Sequence, residues 1–412
     1  MLIRNMAGAF TGKGFVENDG RRPTISQADF HQGPVDLAIC DATREVIAIG
    51  KNLTVGTGET ILSGQGKVAM PGWLDSHTHA IYAGNRASEF FRRWEGRSYL
   101  EIARAGGGIS VTKQKTAEMD DAELSELLAQ RFRQMLACGT VATEVKSGYG
   151  RNAKEEARLL RLISQAASKV PEMRVVSTFL GLHSIPAERS EREFVSEMID
   201  VLPLIKSLRL ASFVDSFPEK GFFSLDESLR FSEAAAKLGF GLKAHADELT
   251  DSGSSLAFIE RGATSIDHLQ NISDAAISAL ASSSTVATVL PATSFYLGLS
   301  YANARKLIKA GAKVALATDF NPGTAPSYRL QFTSLLAAAN LRMTAAEILC
   351  ALTFNAASAL RIDQEYGAIT PGKTGTILLF SASNNVNQPQ DLLEHLLLNG
   401  AGLTVRLSAE GK

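Results

Sequence analysis

Three cysteines, Cys40, Cys138 and Cys350, are all that 412 residues contain, and they lie far apart. So few, odd in number, build no disulfide framework; they fit a reducing compartment, where each thiol packs as a small apolar side chain. Excess charge is missing too: 42 basic residues face 43 acidic ones, so no global field draws the chain to nucleic acid or anionic lipid. No apolar run reaches the roughly 20 residues of a membrane span. The opening stretch MLIRNMAGAFTGKGF lacks the continuous apolar segment of an export signal, and there is no internal repeat or low-complexity tract. These absences leave a soluble cytoplasmic protein with a small-molecule partner, neither nucleic acid nor membrane. Its 45% hydrophobic and 21% charged residues are ordinary for a globular enzyme.

The order of elements suggests the architecture. Through about Met70 the chain shows short β-rich runs, VDLAIC and EVIAIG among them, punctuated by Gly and Asn. From Gly72 the rhythm changes to helical segments, breaks and short apolar strands. Eight strands are expected at GWLDSH, ATEVKSG, RVVSTFLG, SFVDSF, GLKAHADE, TSIDHL, TVATVLP and VALATD. Helices are expected between them, at DDAELSELLAQRFRQMLA, NAKEEARLLRLISQAA, LDESLRFSEAAAKLG and YANARKLIKAG, with Gly139, Gly239 and Gly311 at or after three helix ends. Repeated βα units give an α/β fold, a (β/α)8 TIM-type barrel. After about Ile362 β-like texture returns in GAITPGKTGTILLF and LTVRL, interrupted by helical DLLEHLLL. We therefore expect a small β-rich domain made of residues 1–70 and 362–412 beside a barrel of residues 71–361.

Unusual polar residues collect at the ends of the expected strands. In Asp75-Ser76-His77-Thr78-His79 the two histidines are two apart, so an extended backbone projects both to one side, where they can share an ion. Such pairs also occur in loops and core edges. His245 in KAHADE and Asp319 in ATDFNPG, however, end later strands, and barrel active sites form at that rim. Three imidazoles and a carboxylate suit zinc or iron with room for water, and a metal there acidifies water towards a pKa of ~7, so hydrolysis is the natural chemistry. Glu248, three residues after His245, and His268 in IDHL are candidates for proton transfer and oxyanion stabilisation; the alternative is exposed rim residues.

With these residues placed, the chain resembles the amidohydrolase superfamily: PGWLDSHTH, KAHADE, IDHL and ATDFNPG occur in that family's order. RSYLEIARAGGGI, TEVKSGYG, FLGLH, HADE and TDFNPG narrow the likeness to the imidazolonepropionase family, over Pro71 to Ser358. The resemblance implies one Zn2+ or Fe2+/Fe3+ ion per subunit on His77, His79, His245 and Asp319. Binuclear relatives carry a carboxylated lysine on the fourth strand; SFVDSF contains none, and Lys146 in EVKSGYG is not read as a bridge. The implied substrate contacts are Arg86, Tyr99, Tyr149, His183, Glu248, Asn321, Gly323 and Thr324. An arginine fork suits a propionate carboxylate, Tyr149 adds a hydroxyl, and His183 offers a ring donor and acceptor. FLGLHSIP stands where members often have FLGAHAVP, but Arg86 and His183 are retained.

The implied reaction is hydrolysis of the ring amide C–N bond of 4-imidazolone-5-propanoate to N-formimidoyl-L-glutamate, in histidine degradation, with Glu248, His268 and Asp319 as catalytic groups. Similar enzymes are often homodimers, so a homodimer is expected. Two other readings stay open at this point: a deaminase or other cyclic amidase acting on a purine, pyrimidine or hydantoin ring, and a scaffold barrel that has lost catalysis. Arg86 with SGYG favours a carboxylate-bearing substrate over the first; the four candidate ligands argue against the second.

Overall fold

The computed structural model describes residues 1–54, 56, 59–97, 101, 107–186, 188–381, 388–399 and 404–406. Five strands come first: β1 (Leu2–Phe10), β2 (Phe30–Ile39), β3 (Val46–Gly50), β4 (Ile61–Ser63) and β5 (Lys67–Pro71). β1 pairs antiparallel with β2 and parallel with β4 and β5. Eight parallel strands follow: β6 (Trp73–Asp75), β7 (Thr140–Lys146), β8 (Arg174–Leu182), β9 (Phe213–Ser216), β10 (Gly241–Ala246), β11 (Ser265–His268), β12 (Val286–Val289) and β13 (Lys313–Leu316). They neighbour one another in sequence order, and each matches one of the eight strands expected from sequence. Finally β14 (Ile377–Ser381) pairs antiparallel with β5, and β15 (Thr404–Arg406) with β14. One seven-stranded sheet thus draws on both ends of the chain.

The helices between barrel strands start at capping side chains. Asp120 accepts from the amides of Ala122 and Glu123, Asn152 from Glu155 and Ser224 from Glu227, each cap stabilising its helix by about 1 kcal/mol. They stop where expected, with Gly139, Gly239 and Gly311 at φ 94, 77 and 99°. Two segments differ from expectation. The helix in YANARKLIKAG is Ala304–Ala310, because Asn303 caps it through the Lys306 amide at 3.0 Å. Of GAITPGKTGTILLF only Ile377–Phe380 is strand; Pro371 and Gly372, the latter at φ 85°, turn the chain first.

Among the described residues no strand ladder joins β6 to β13, the two ends of the barrel sheet. The residues just past their ends close it. Asp319 N donates to His77 O at 3.0 Å and His79 N to Phe320 O at 2.9 Å, while Thr318 gives Asp75 its amide at 3.0 Å and its hydroxyl at 2.6 Å. Burial pushes the enclosed Asp75 carboxyl up to about 7. No described helix is long and apolar enough to cross a membrane.

Candidate active site

Closure of the barrel places the first candidate ligands. Thr78 bridges in parallel to Phe320, so its neighbours His77 and His79 project to the same side. Their Nε2 atoms are 3.3 Å apart, and His245 Nε2, at the end of β10, is 3.4 Å from that of His79. Asp319 Oδ1 stands 3.5 Å from His77 Nε2 and 3.4 Å from His79 Nε2. Ligand atoms about 2.0–2.1 Å from a shared tetrahedral centre stand about 3.3–3.4 Å from one another, so the donor set fits a transition metal such as zinc. His268, which ends β11, also offers an atom within 4.8 Å of His77 and Asp319.

Three of the four candidate ligands are held from behind. His77 donates Nδ1–H to Asp267 at 2.6 Å and His245 donates to Asp215 at 3.2 Å, which leaves each Nε2 with its lone pair facing the centre. The Thr293 hydroxyl donates to Asp319 Oδ2 at 2.6 Å. Burial keeps His77, His79 and His268 well below the usual histidine range. At His245 burial works the same way, but the Asp215 carboxylate outweighs it and the net shift is upward. Among the described residues His79 Nδ1 has no hydrogen-bond partner, and its ring stacks on His183 with centroids 5.0 Å apart. Two of these residues have strained backbones: His268 at φ 83° and Asp319 at φ 54°, a conformation that costs a side-chain-bearing residue about 1–3 kcal/mol and clusters at functional sites.

A cavity of about 690 Å3 opens above the cluster, large enough for a drug-sized ligand. Arg86, Tyr149, His183, Glu248, Asn321 and Thr324 line it with His79, His245, His268 and Asp319. Arg86 directs Nε and Nη2 at the Glu89 carboxylate, at 3.0 and 2.8 Å, and Glu89 in turn accepts from Gly108 N at 2.9 Å. Gly323 packs flat against that guanidinium: a Cβ there would sit 2.2 Å from Arg86 Nη1. Arg93 Nη2 donates to Gly323 O at 2.9 Å, so the helix Ala87–Trp94 and the loop after β13 are latched together. Asn321 shapes that loop, accepting from the amides of Gly323 at 2.9 Å and Thr324 at 2.7 Å. His183 Nδ1 donates to Gly148 O at 3.0 Å, and burial lowers its pKa to about 3. Burial, reinforced by Asp319 and Glu219, pushes Glu248 up to about 8; its Oε1 is 3.6 Å from His268 Nδ1. Tyr99 lies outside the described residues.

The structure places the described candidates around one cavity and adds supports that the sequence motifs do not mark: Asp215, Asp267, Glu89, Arg93 and Thr293. Asp267 directly precedes His268 and Asp215 lies in SFVDSF, yet a lone aspartate in an apolar strand carries no label for the histidine it will hold.

A model of the amidohydrolase family matches residues 68–400. The chain is 43% identical over 352 residues to the imidazolonepropionase of Caldanaerobacter subterraneus subsp. tengcongensis, covering 84% of each protein. To those of Fusobacterium nucleatum subsp. nucleatum and Symbiobacterium thermophilum it is 41% and 39% identical, covering 82% and 89% of this chain and 84% and 87% of those proteins. Among solved structures, a triazine hydrolase variant superposes with a TM-score of 0.74 at 16% identity, covering 99% of this chain and 93% of that one. An atrazine chlorohydrolase from Arthrobacter aurescens TC1, solved with zinc, gives 0.66 at 16% identity with 99% and 94% covered. Both share the fold. A histidine and aspartate cluster at a barrel rim, a family match over most of the barrel and relatives this similar over most of their length lead to one assignment: the chain belongs to the amidohydrolase family and, within it, to the imidazolonepropionases.

Proposed function

We propose that the cavity above His77, His79, His245 and Asp319 is where this chain carries out its family's reaction. It is a hydrolase of histidine degradation, opening the ring amide C–N bond of 4-imidazolone-5-propanoate to give N-formimidoyl-L-glutamate. The observation that carries the reading is the convergence of those four side chains to 3.3–3.5 Å beneath a cavity that also holds an arginine.

The four side chains would hold one zinc or iron ion per subunit, which when bound would supply Lewis acidity and lower the pKa of water. A single ion is favoured because β9 brings no lysine and Lys146, the lysine of β7, is engaged by Asp215 and Glu144 at 2.6 and 2.8 Å. Arg86, braced by Glu89, takes the propionate carboxylate, with Tyr149 beside it; Asn321, Gly323 and Thr324 form the adjoining wall, and Tyr99 is assigned here from the family pattern. His183 lies along the planar ring. Asp319 accepts the proton of the attacking water through its carboxylate while Thr293 fixes the oxygen that is turned away. Glu248, its pKa raised by burial, delivers a proton to the ring nitrogen as the C–N bond breaks, and neutral His268 donates an N–H to the carbonyl oxygen as charge gathers there. We place the enzyme in the cytoplasm as a homodimer, with residues 1–70 and 362–412 as one domain and 71–361 as the other.

Purified chain mixed with fresh imidazolone propionate should consume the ring absorbance and yield N-formimidoyl-L-glutamate, and His245→Ala should abolish this. Absence of turnover by the wild-type chain with metal present would overturn the reading.

A further inference from the structure

Lys146 ends β7 fully enclosed, and the mechanism above gives it nothing to do. Its ammonium, with three N–H donors, faces three carboxylates: Asp215 Oδ2 at 2.6 Å, Glu144 Oε2 at 2.8 Å and Asp267 Oδ2 at 3.7 Å. Two of the three are the groups that grip candidate ligands from behind, Asp267 at His77 and Asp215 at His245. Asp215, hydrogen-bonded to the ammonium on one side and to an imidazole N–H on the other, cannot swing away, and Asp267 is drawn to the same charge across 3.7 Å, so the rings they hold keep their orientation and tautomer. The barrel has a second enclosed lysine, Lys243, bonded to Glu144 Oε1 at 2.8 Å and Ser76 O at 3.0 Å; its charge also acts on Asp267, but among the described residues it makes no hydrogen bond or ion pair within 4 Å to Asp215 or Asp267 and so does not join the two. Glu144 completes the layer, tying the two lysines together and accepting the Thr178 hydroxyl.

We propose that Lys146 is a positioning residue for the metal centre: one ammonium joins Asp215 to Asp267 and so sets the rings of His77 and His245 for a common cation. The inference rests on the reading of those histidines as ligands. It assigns Lys146 a role through other side chains, with no contact to substrate or ion.

The test is the affinity of the full-length, chelator-stripped chain for Zn2+ alone, measured by competition with a chromophoric chelator. Lys146→Met should weaken Zn2+ binding by about 10–100-fold, as loss of support behind a ligand does. Lys243→Met, which removes the same charge from the same core, should weaken it far less. In the Asp215→Asn/Asp267→Asn background Lys146→Met should add little, because both carboxylates through which it acts have then lost their charge. If Lys146→Met does not fold, Lys146→Met/Glu144→Gln, which removes one buried charge of each sign, takes its place with the same expectation. Unchanged Zn2+ affinity in the lysine variant, or an equal loss in Lys243→Met, overturns the proposal while leaving the ligand assignment intact. A wild-type chain that takes up no Zn2+ overturns both.

Discussion

Leu37 in the seven-stranded sheet and Lys243 inside the barrel are both fully buried, yet different physics keeps them there. Leu37 packs with Ile3, Met6, Val35, Ile377 and Leu379, a wholly apolar cluster whose stabilisation grows with buried area at roughly 25 cal/mol per Å2. Lys243 sits in a layer with Glu144, Lys146, Asp215 and Asp267, where removing water from each charge costs several kcal/mol and only a complete set of partners offsets it. The first region needs the right volume; the second needs every member. A charged interior is a poor way to gain stability, and it makes sense where oriented polar groups must stand behind a reactive centre.

The contrast can be tested at four places. Stripping metal with a chelator should cut turnover by at least ~10^3-fold, with recovery on adding back zinc or iron, since a Lewis acid supplies several kcal/mol to the transition state. Full turnover of verified metal-free protein would remove the reason for the charged layer. Next, Lys146→Met should cost about 3–5 kcal/mol in denaturant unfolding and lower kcat as well. Leu37→Ala should cost about 2–5 kcal/mol and leave kcat untouched below its melting temperature. Similar kinetics for these two variants would erase the distinction. At the cavity wall, Glu89→Gln and Gly323→Ala should each raise KM by about tenfold with kcat kept, because both disturb how Arg86 is presented rather than the reacting atoms. A fall in kcat at constant KM would assign them elsewhere.

The smallest effect concerns Lys113, which is buried and donates to Ser184 O at 3.0 Å. Burial lowers its pKa to about 8 from 10.5, so stability is lost as pH falls from 10.5 towards 8, where the unfolded chain takes up the proton more readily, and levels off below 8. Lys113→Met lacks that cost, and its Tm advantage over the wild type should be greatest below pH 8 and shrink as pH rises towards 10.5. A Tm difference independent of pH from 7 to 10.5 would show that Lys113 is not the source of any pH dependence.

The eight barrel strands were legible because short apolar runs alternate with capped helices and glycine stops, a local pattern that needs no tertiary information. The candidate ligands were legible for a related reason: His77 and His79 are two apart, and His245 and Asp319 end strands. Their supports were not. Asp215 acts on a residue 30 positions away and Asp267 on one 190 away, and neither differs locally from any polar strand-end residue. Glu89 is an intermediate case, since its spacing of three from Arg86 on a helix is a readable ion-pair signal. The left-handed backbones of His268 and Asp319 have no local signature, because the surrounding fold imposes them on residues that do not favour them.

The joint between β6 and β13 has one more consequence. His77, His79 and Asp319 are both the proposed grips on the ion and the carriers of the amides and carbonyls that complete the ring of strands. Whatever draws those side chains together cinches the one gap that has no ladder of its own. Ion occupancy and foldedness are therefore linked quantities, and an ion present at 100 times its dissociation constant adds about 2.7 kcal/mol to the folded state. A cell starved of the ion would then lose copies of this polypeptide to proteolysis as well as idling the copies that survive.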